Sequence, residues 1–130
     1  MNPVRWQRLE GAACAVLALI GAAALGAWWW PLALFLAFDL SALGYLRDPR
    51  EGAFVYNLVH SYWGPAALAG WAIAIGAWGA PGSQTPVLVV AAAWLFHVGV
   101  DRALGYGLKH DDDFQHTHLG WIGRASARDK

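Results

Sequence analysis

Six polar residues stand inside otherwise apolar sequence: Glu10, Asp39, Asn57, His60, His97 and Asp101. Carboxylates and imidazoles are the side chains that ligate divalent metals and move protons. An ionisable group in apolar surroundings is costly, and a functional role is the first hypothesis for it. Asn57, His60 and Ser61 are spaced i, i+3, i+4, while His97 and Asp101 are spaced i, i+4, as are Glu10 and Cys14. On helices, each set shares one face. Carboxylates and histidines from facing helices bind iron or manganese in di-metal bundles, and the same donors suit zinc. The candidate ligand set is therefore Glu10, Asp39, His60, His97 and Asp101, with Asn57 orienting His60. The Glu-x-x-His spacing of di-iron bundles is absent. A zinc, iron or manganese ion held there would activate water or oxygen for a substrate dissolved in the membrane.

Other chemistry is open to the same residues. His60 and His97 have the residue type of haem axial ligands, although they differ in depth by about one helical turn. A structural reading pairs Asp39 or Asp101 with Arg102 and leaves His60 hydrogen-bonded to Asn57 or a carbonyl. The protein would then be a non-catalytic accessory or assembly subunit of a membrane complex, touching a partner membrane protein. Proton or ion transport would need polar residues continuing to the outer half, and none follow. Near the C-terminus, His116, Thr117 and His118 follow Asp111, Asp112 and Asp113. A solvated acidic tail is the plain reading of that run. Folding back through Leu119, Trp121 and Ile122 would instead place the tail over the site.

The elements that must carry these residues follow from where charge is missing. Of 130 residues, 58% are hydrophobic and 14% charged, and nine Lys+Arg balance nine Asp+Glu. Soluble domains carry about 25% charged residues. The composition excludes a disordered chain and an electrostatic nucleic-acid binder, which needs a basic excess. The single cysteine, Cys14, excludes an internal disulfide and a Cys-rich zinc module. Residues 11–38 and 52–100 contain no Asp, Glu, Lys or Arg. A membrane-spanning helix needs about 20 apolar residues. Turn formers at 80–86 divide the second stretch, and Trp28, Trp29, Trp30 and Pro31 divide the first.

Four spans result, near 8–28, 31–46, 53–78 and 87–108. Together they form a transmembrane unit over 1–108, followed by a polar tail over 109–130. The second helix is short, at about 24 Å. One helix running through Pro31 would leave three spans, splitting Arg5 and Arg8 from Arg47 and Arg50. With four spans, all nine basic residues fall on one side. The positive-inside rule makes that side cytoplasmic, with both termini there. The expected fold is all-α: a polytopic four-helix bundle of two hairpins in the lipid bilayer of a bacterial inner membrane. Glu10, Asp39, His60, His97 and Asp101 then share its cytoplasmic half, with His60 and Asp101 about 10 Å inside the boundary.

These residues resemble those of a family of small bacterial integral membrane proteins of unknown function. The likeness lies in Arg8-Leu9-Glu10-Gly11, Asp39-Leu40-Ser41 with Gly44-Tyr45, and Tyr56-Asn57 with His60. It continues through His97, Asp101-Arg102, Gly105-Tyr106-Gly107-Leu108-Lys109 and Thr117-His118-Leu119-Gly120 with Gly123. The resemblance implies a four-helix membrane protein whose motif residues coincide with the buried cluster. It also implies that His118 supports the site. Phe38 stands where family members often carry proline.

Overall fold

Asn2 starts the first helix earlier than the expected position 8. Its side chain accepts a hydrogen bond from the Arg5 amide at 3.0 Å, and Pro3 takes the first helical position. The computed structural model describes residues 1–123. Arg124, Arg128 and Lys130, three of the basic residues assigned to the cytoplasmic face, lie outside the described residues. Helix α1 spans Pro3–Ala24. Gly26, at φ 72°, turns the chain toward the stacked Trp29 and Trp30 rings.

The expected second α-helix is a different object. A single α turn, α2 (Trp30–Ala33), leads into a 3₁₀ helix over Phe35–Leu46. A 3₁₀ run of this length is uncommon, and such stretches often mark functional segments. The side chains explain it. With three residues per turn, Phe35, Phe38, Ser41 and Gly44 fall on one face, while Leu40, Leu43 and Leu46 fall on another and are exposed. The inward face meets α3 (Pro49–His60). A Cβ on Gly44 would stand 3.2 Å from the Gly52 Cα, and a Cβ on Gly52 would collide with the Tyr45 ring. Both glycines permit that close approach.

The expected third helix over 53–78 is broken. Helix α3 ends at His60, Ser61 is extended at ψ 150°, and α4 runs over Trp63–Trp78. Pro65 is the local cause, having no N–H for the Ser61 carbonyl and a ring that blocks a continuous helix. The carbonyls freed at the break are used. Trp94 Nε1–H donates to the Val59 carbonyl at 2.6 Å, and Arg102 Nη2 donates to the His60 carbonyl at 3.2 Å. Gly64 makes room for the Trp94 ring, which a Cβ would meet at 2.5 Å. Trp94→Phe keeps an aromatic side chain but removes the donor and the part of the indole that fills the space at Gly64. It is expected to cost about 1–3 kcal/mol, read as a lower thermal unfolding midpoint in detergent. An unchanged midpoint would show that the Val59 carbonyl does not need it.

Helix α5 (Thr85–Leu104) stops at Gly105, where φ is 98°. The Tyr106 amide bonds the Asp101 carbonyl and the Gly105 amide bonds the Arg102 carbonyl, closing a Schellman turn. Arg8 Nε donates to the Ala103 carbonyl at 2.9 Å, which adds a cation to that end. The principal packing is α1 along α5 and the 3₁₀ helix along α3, with α4 also on α5. The packing of α4 on α5 joins the expected third and fourth segments, whereas α1 lies mainly along α5 rather than along the expected second helix.

The tail folds as well. Strands β1 (His116–Thr117) and β2 (Gly120–Trp121) pair antiparallel, and Lys109 bridges to Thr117. Asn57 clamps the same lysine from α3. Its Nδ2 donates to the Lys109 carbonyl at 2.9 Å, and its Oδ1 accepts from the Lys109 amide at 2.7 Å.

Burial is inverted relative to a water-soluble domain. Ala15, Ala18, Ala22, Ala53, Ala72 and Ala93 are buried together with His60, His97, Arg102 and Lys109. Large apolar side chains point outward instead, Leu36 at 73%, Leu46 at 85% and Trp78 at 86% exposure. Helices α1 and α5 are long and apolar enough to cross a membrane.

Candidate metal centre

Asp39, His60, His97 and Asp101 meet at one point, with one ligand atom from each lying within 4.8 Å of all the others. The 3₁₀ helix supplies Asp39, the end of α3 supplies His60, and α5 supplies His97 and Asp101. His60 Nε2 and His97 Nε2 are 3.0 Å apart. Asp39 Oδ1 is 3.6 Å from both nitrogens, while Asp101 Oδ2 is 3.5 Å from His60 Nε2 and 3.8 Å from His97 Nε2.

The tautomer of His60 follows from its neighbour. Its Nδ1 lies 3.0 Å from the Tyr56 carbonyl. A carbonyl only accepts, so Nδ1 carries the hydrogen and Nε2 offers a lone pair to the cluster. A backbone acceptor behind a histidine is a usual support for a metal ligand. His97 is fully buried, its ring held against Phe35 and Phe38 at centroid distances of 4.7 and 5.4 Å. Among the described residues, its Nδ1 has no hydrogen-bond partner.

Two carboxylates this close repel each other, and the Asp101 side chain is only 13% exposed. Arg102 forms no ion pair with either carboxylate within 4.0 Å among the described residues; its Nη2 donates to the His60 carbonyl. One divalent cation would neutralise both carboxylates and use the imidazole lone pairs. Tetrahedral coordination with bonds of about 2.0–2.2 Å sets ligand atoms about 3.3–3.6 Å apart. The five separations that involve a histidine, 3.0–3.8 Å, bracket that requirement, while the two carboxylate oxygens lie within 4.8 Å of each other.

Tyr56 supports two of the four residues, and the sequence reading gave it no such role. Its hydroxyl donates to Asp101 Oδ2 at 3.2 Å, and its ring stacks on His60 at 3.6 Å and 6°. The signal available was the i, i+4 spacing of Tyr56 and His60. Tyr56→Phe is expected to keep the stack and weaken metal affinity by about 10–100-fold, the usual effect of removing an outer partner. Competition with a chromogenic chelator measures this, and equal affinities would show the hydroxyl idle.

Asp39, Tyr56 and Asp101 also line a cleft of about 480 Å³. Phe35, Ala42 and Leu104 form apolar wall, and the folded tail adds Lys109, Phe114 and Ile122. Of the tail residues expected over the site, Ile122 is there, whereas Leu119 and Trp121 do not line the cleft. Burial lowers the Lys109 ammonium to about 8, against the opposing pull of Asp101 and Asp113.

Three of the expected site residues lie elsewhere in the structure. Glu10 is exposed and lies outside the cluster, because Gly11 and Ala15 face α5 and turn it away. It lines a separate pocket with Gln7, Tyr62, Arg102, Leu108 and His118. Asn57 does not orient His60, which the Tyr56 carbonyl holds; it fixes Lys109 instead. His118 is also outside the cluster, accepting from the Leu108 amide at Nδ1 and lying 3.0 Å from Gln7 Oε1 through Nε2. His116 Nδ1 lies 2.8 Å from Asp112 Oδ2, a bond that holds the Asp112 carboxyl below its ordinary range.

No curated protein and no solved structure is similar to this chain. One family, described as a domain of unknown function (DUF4260), matches residues 4–122. That match takes in all four converging residues and the folded tail, and the chain belongs to this family.

Proposed function

We propose that the protein is a bacterial inner-membrane metalloprotein that binds one divalent ion through Asp39, His60, His97 and Asp101 and acts on a membrane-soluble substrate in the adjoining cleft. The observation that carries this is the convergence of four ligand atoms from three segments within 4.8 Å. Two imidazoles and two carboxylates are a donor set that zinc, iron and manganese all accept, and zinc is the ion used to test binding. When bound, the ion supplies a Lewis acid. His60, His97 and Asp101 fix its position, while Asp39, with 44% of its side chain exposed, faces the cleft.

The membrane setting is supported by the outward Leu and Trp side chains and by the lengths of α1 and α5. The 3₁₀ helix supports a fourth span. It rises about 2.0 Å per residue, which extends the Trp30–Leu46 segment to about 30 Å, the thickness of the hydrocarbon core. The broken span formed by α3 and α4 fits the rule that irregular backbone is tolerated at membrane depth where protein buries it. Basic residues on one side argue for cytoplasmic termini.

A structural polar network is the competing reading. Its support is the 3.0 Å His60–His97 distance, which also suits an imidazole hydrogen bond. Elemental analysis of detergent-purified protein separates the two. The metal reading expects about one equivalent of divalent ion and a lower thermal midpoint after chelation. Metal-free protein that is indifferent to both zinc and chelator would overturn it.

A further inference from the structure

Lys109 is 5% exposed, yet its ammonium lies 4.0 Å from the Phe114 ring centroid and 4.9 Å from that of Tyr56, both walls of the cleft. Among the described residues, no carboxylate oxygen comes within 4.0 Å of it. Burying a lysine without such a partner is expensive, and the fold holds it there from two sides. Asn57 grips its peptide from α3, and Thr117 pairs with it from the tail. The backbone is therefore fixed while the ammonium faces the cleft.

The charge balance identifies what belongs opposite it. Two neutral imidazoles, two carboxylates and one divalent cation sum to zero. Asp113 attracts the ammonium from the tail but makes no ion pair within 4.0 Å, which leaves the contact position beside the ammonium open to an anion. An oxyanion in the cleft would be drawn to both the ammonium and the metal. Phe35, Ala42, Leu104 and Ile122 offer apolar wall beside these groups, and Leu104 is itself 61% exposed on the outward surface. A ligand with a charged head and an alkyl body satisfies both surfaces.

We propose that Lys109 binds the head of an oxyanion-bearing amphiphile, a phosphate ester or a carboxylate, whose alkyl part enters the cleft from the membrane side past Leu104. This rests on the metal-centre reading and names its class of substrate. The aromatic rings of Tyr56 and Phe114 hold the ammonium in place by cation–π contact until the anion arrives.

The test uses zinc-loaded full-length protein in nonionic detergent, titrated calorimetrically with octyl phosphate, octanoate and inorganic phosphate. At least one amphiphile is expected to bind, with inorganic phosphate at least tenfold weaker. Lys109→Gln should weaken amphiphile binding at least tenfold at unchanged zinc content, and Lys109→Arg should restore most of it. Retained zinc shows that the variants are folded. Equal binding by Lys109→Gln overturns the proposal, as does inorganic phosphate binding as tightly as either amphiphile. Protein that takes up no zinc overturns both readings. Protein that takes up zinc and binds neither amphiphile overturns this one alone.

Discussion

His97→Ala is expected to lower metal affinity by more than about 100-fold, beyond the range for losing an outer-shell partner. His97 Nε2 is near the ligand atoms of all three other residues, at 3.0 Å from His60, 3.6 Å from Asp39 and 3.8 Å from Asp101. Its ring is fully buried between Phe35 and Phe38, so no other described side chain can swing into its place without repacking. Alanine also leaves two carboxylates close together with a single imidazole. Because metal bound to the folded state alone stabilises it by about 4 kcal/mol at a thousandfold excess over Kd, chelator should lower the wild-type thermal midpoint and leave that of His97→Ala unchanged. Elemental analysis supplies the second reading. Stoichiometric metal in His97→Ala would remove His97 from the ligand set.

Gly99→Val is expected to produce the largest loss of stability. Helix α1 lies so close to α5 that a Cβ on Gly99 would stand 2.7 Å from both the Ala15 nitrogen and the Gly11 oxygen. Those are backbone atoms, which move only if the helices separate. On the other side, a Cβ on Gly11 would be 2.6 Å from the Arg102 Cβ and 2.9 Å from the Ala103 nitrogen. Small residues bring helices together in this way within membranes. Overpacking commonly costs about 1–3 kcal/mol, and a branched side chain against backbone belongs at or above the upper end. Separating the helices would also shift His97 and Asp101, so metal retention should fall along with the thermal midpoint. Gly21→Ala is the control, because a Cβ there meets nothing within 4 Å. Equal midpoints for Gly99→Val and wild type would show that the close crossing is not essential.

Much of the candidate site was legible because helical periodicity is local. The i, i+4 spacing of His97 and Asp101 puts them on one face whatever the rest of the chain does. The rough bounds of the apolar segments were legible too, since charge-free stretches and the 80–86 turn mark them. Glu10 shows where this reasoning stops. Its depth suits the site, but depth says nothing about rotation about the helix axis. The contact of Gly11 and Ala15 with α5 sets that rotation and turns Glu10 outward.

Asp39 reaches the cluster by a route that α-helical spacing does not describe. In a 3₁₀ helix each residue advances further and each turn closes sooner, which changes both its height and its face. The pattern of threes in Phe35, Phe38, Ser41 and Gly44 was present in the sequence, but a segment this short fits either helix type. Pro65 stands inside the expected third helix, and a proline can either bend a helix or end it. Trp94 and Arg102 decide the outcome by occupying the freed carbonyls.

The sequence by itself determined the membrane-like composition, the charge-free stretches, the turns near 28–31 and 80–86, and which ionisable residues share a helix face. These properties depend on neighbours a few residues apart. Tertiary structure alone decided that Asp39, His60, His97 and Asp101 are the four that meet, and that Tyr56 braces them. It also decided that Lys109 returns to their cleft. Those outcomes depend on how closely helices approach, which is set by contacts between residues as far apart as Gly11 and Gly99 or Asn57 and Lys109.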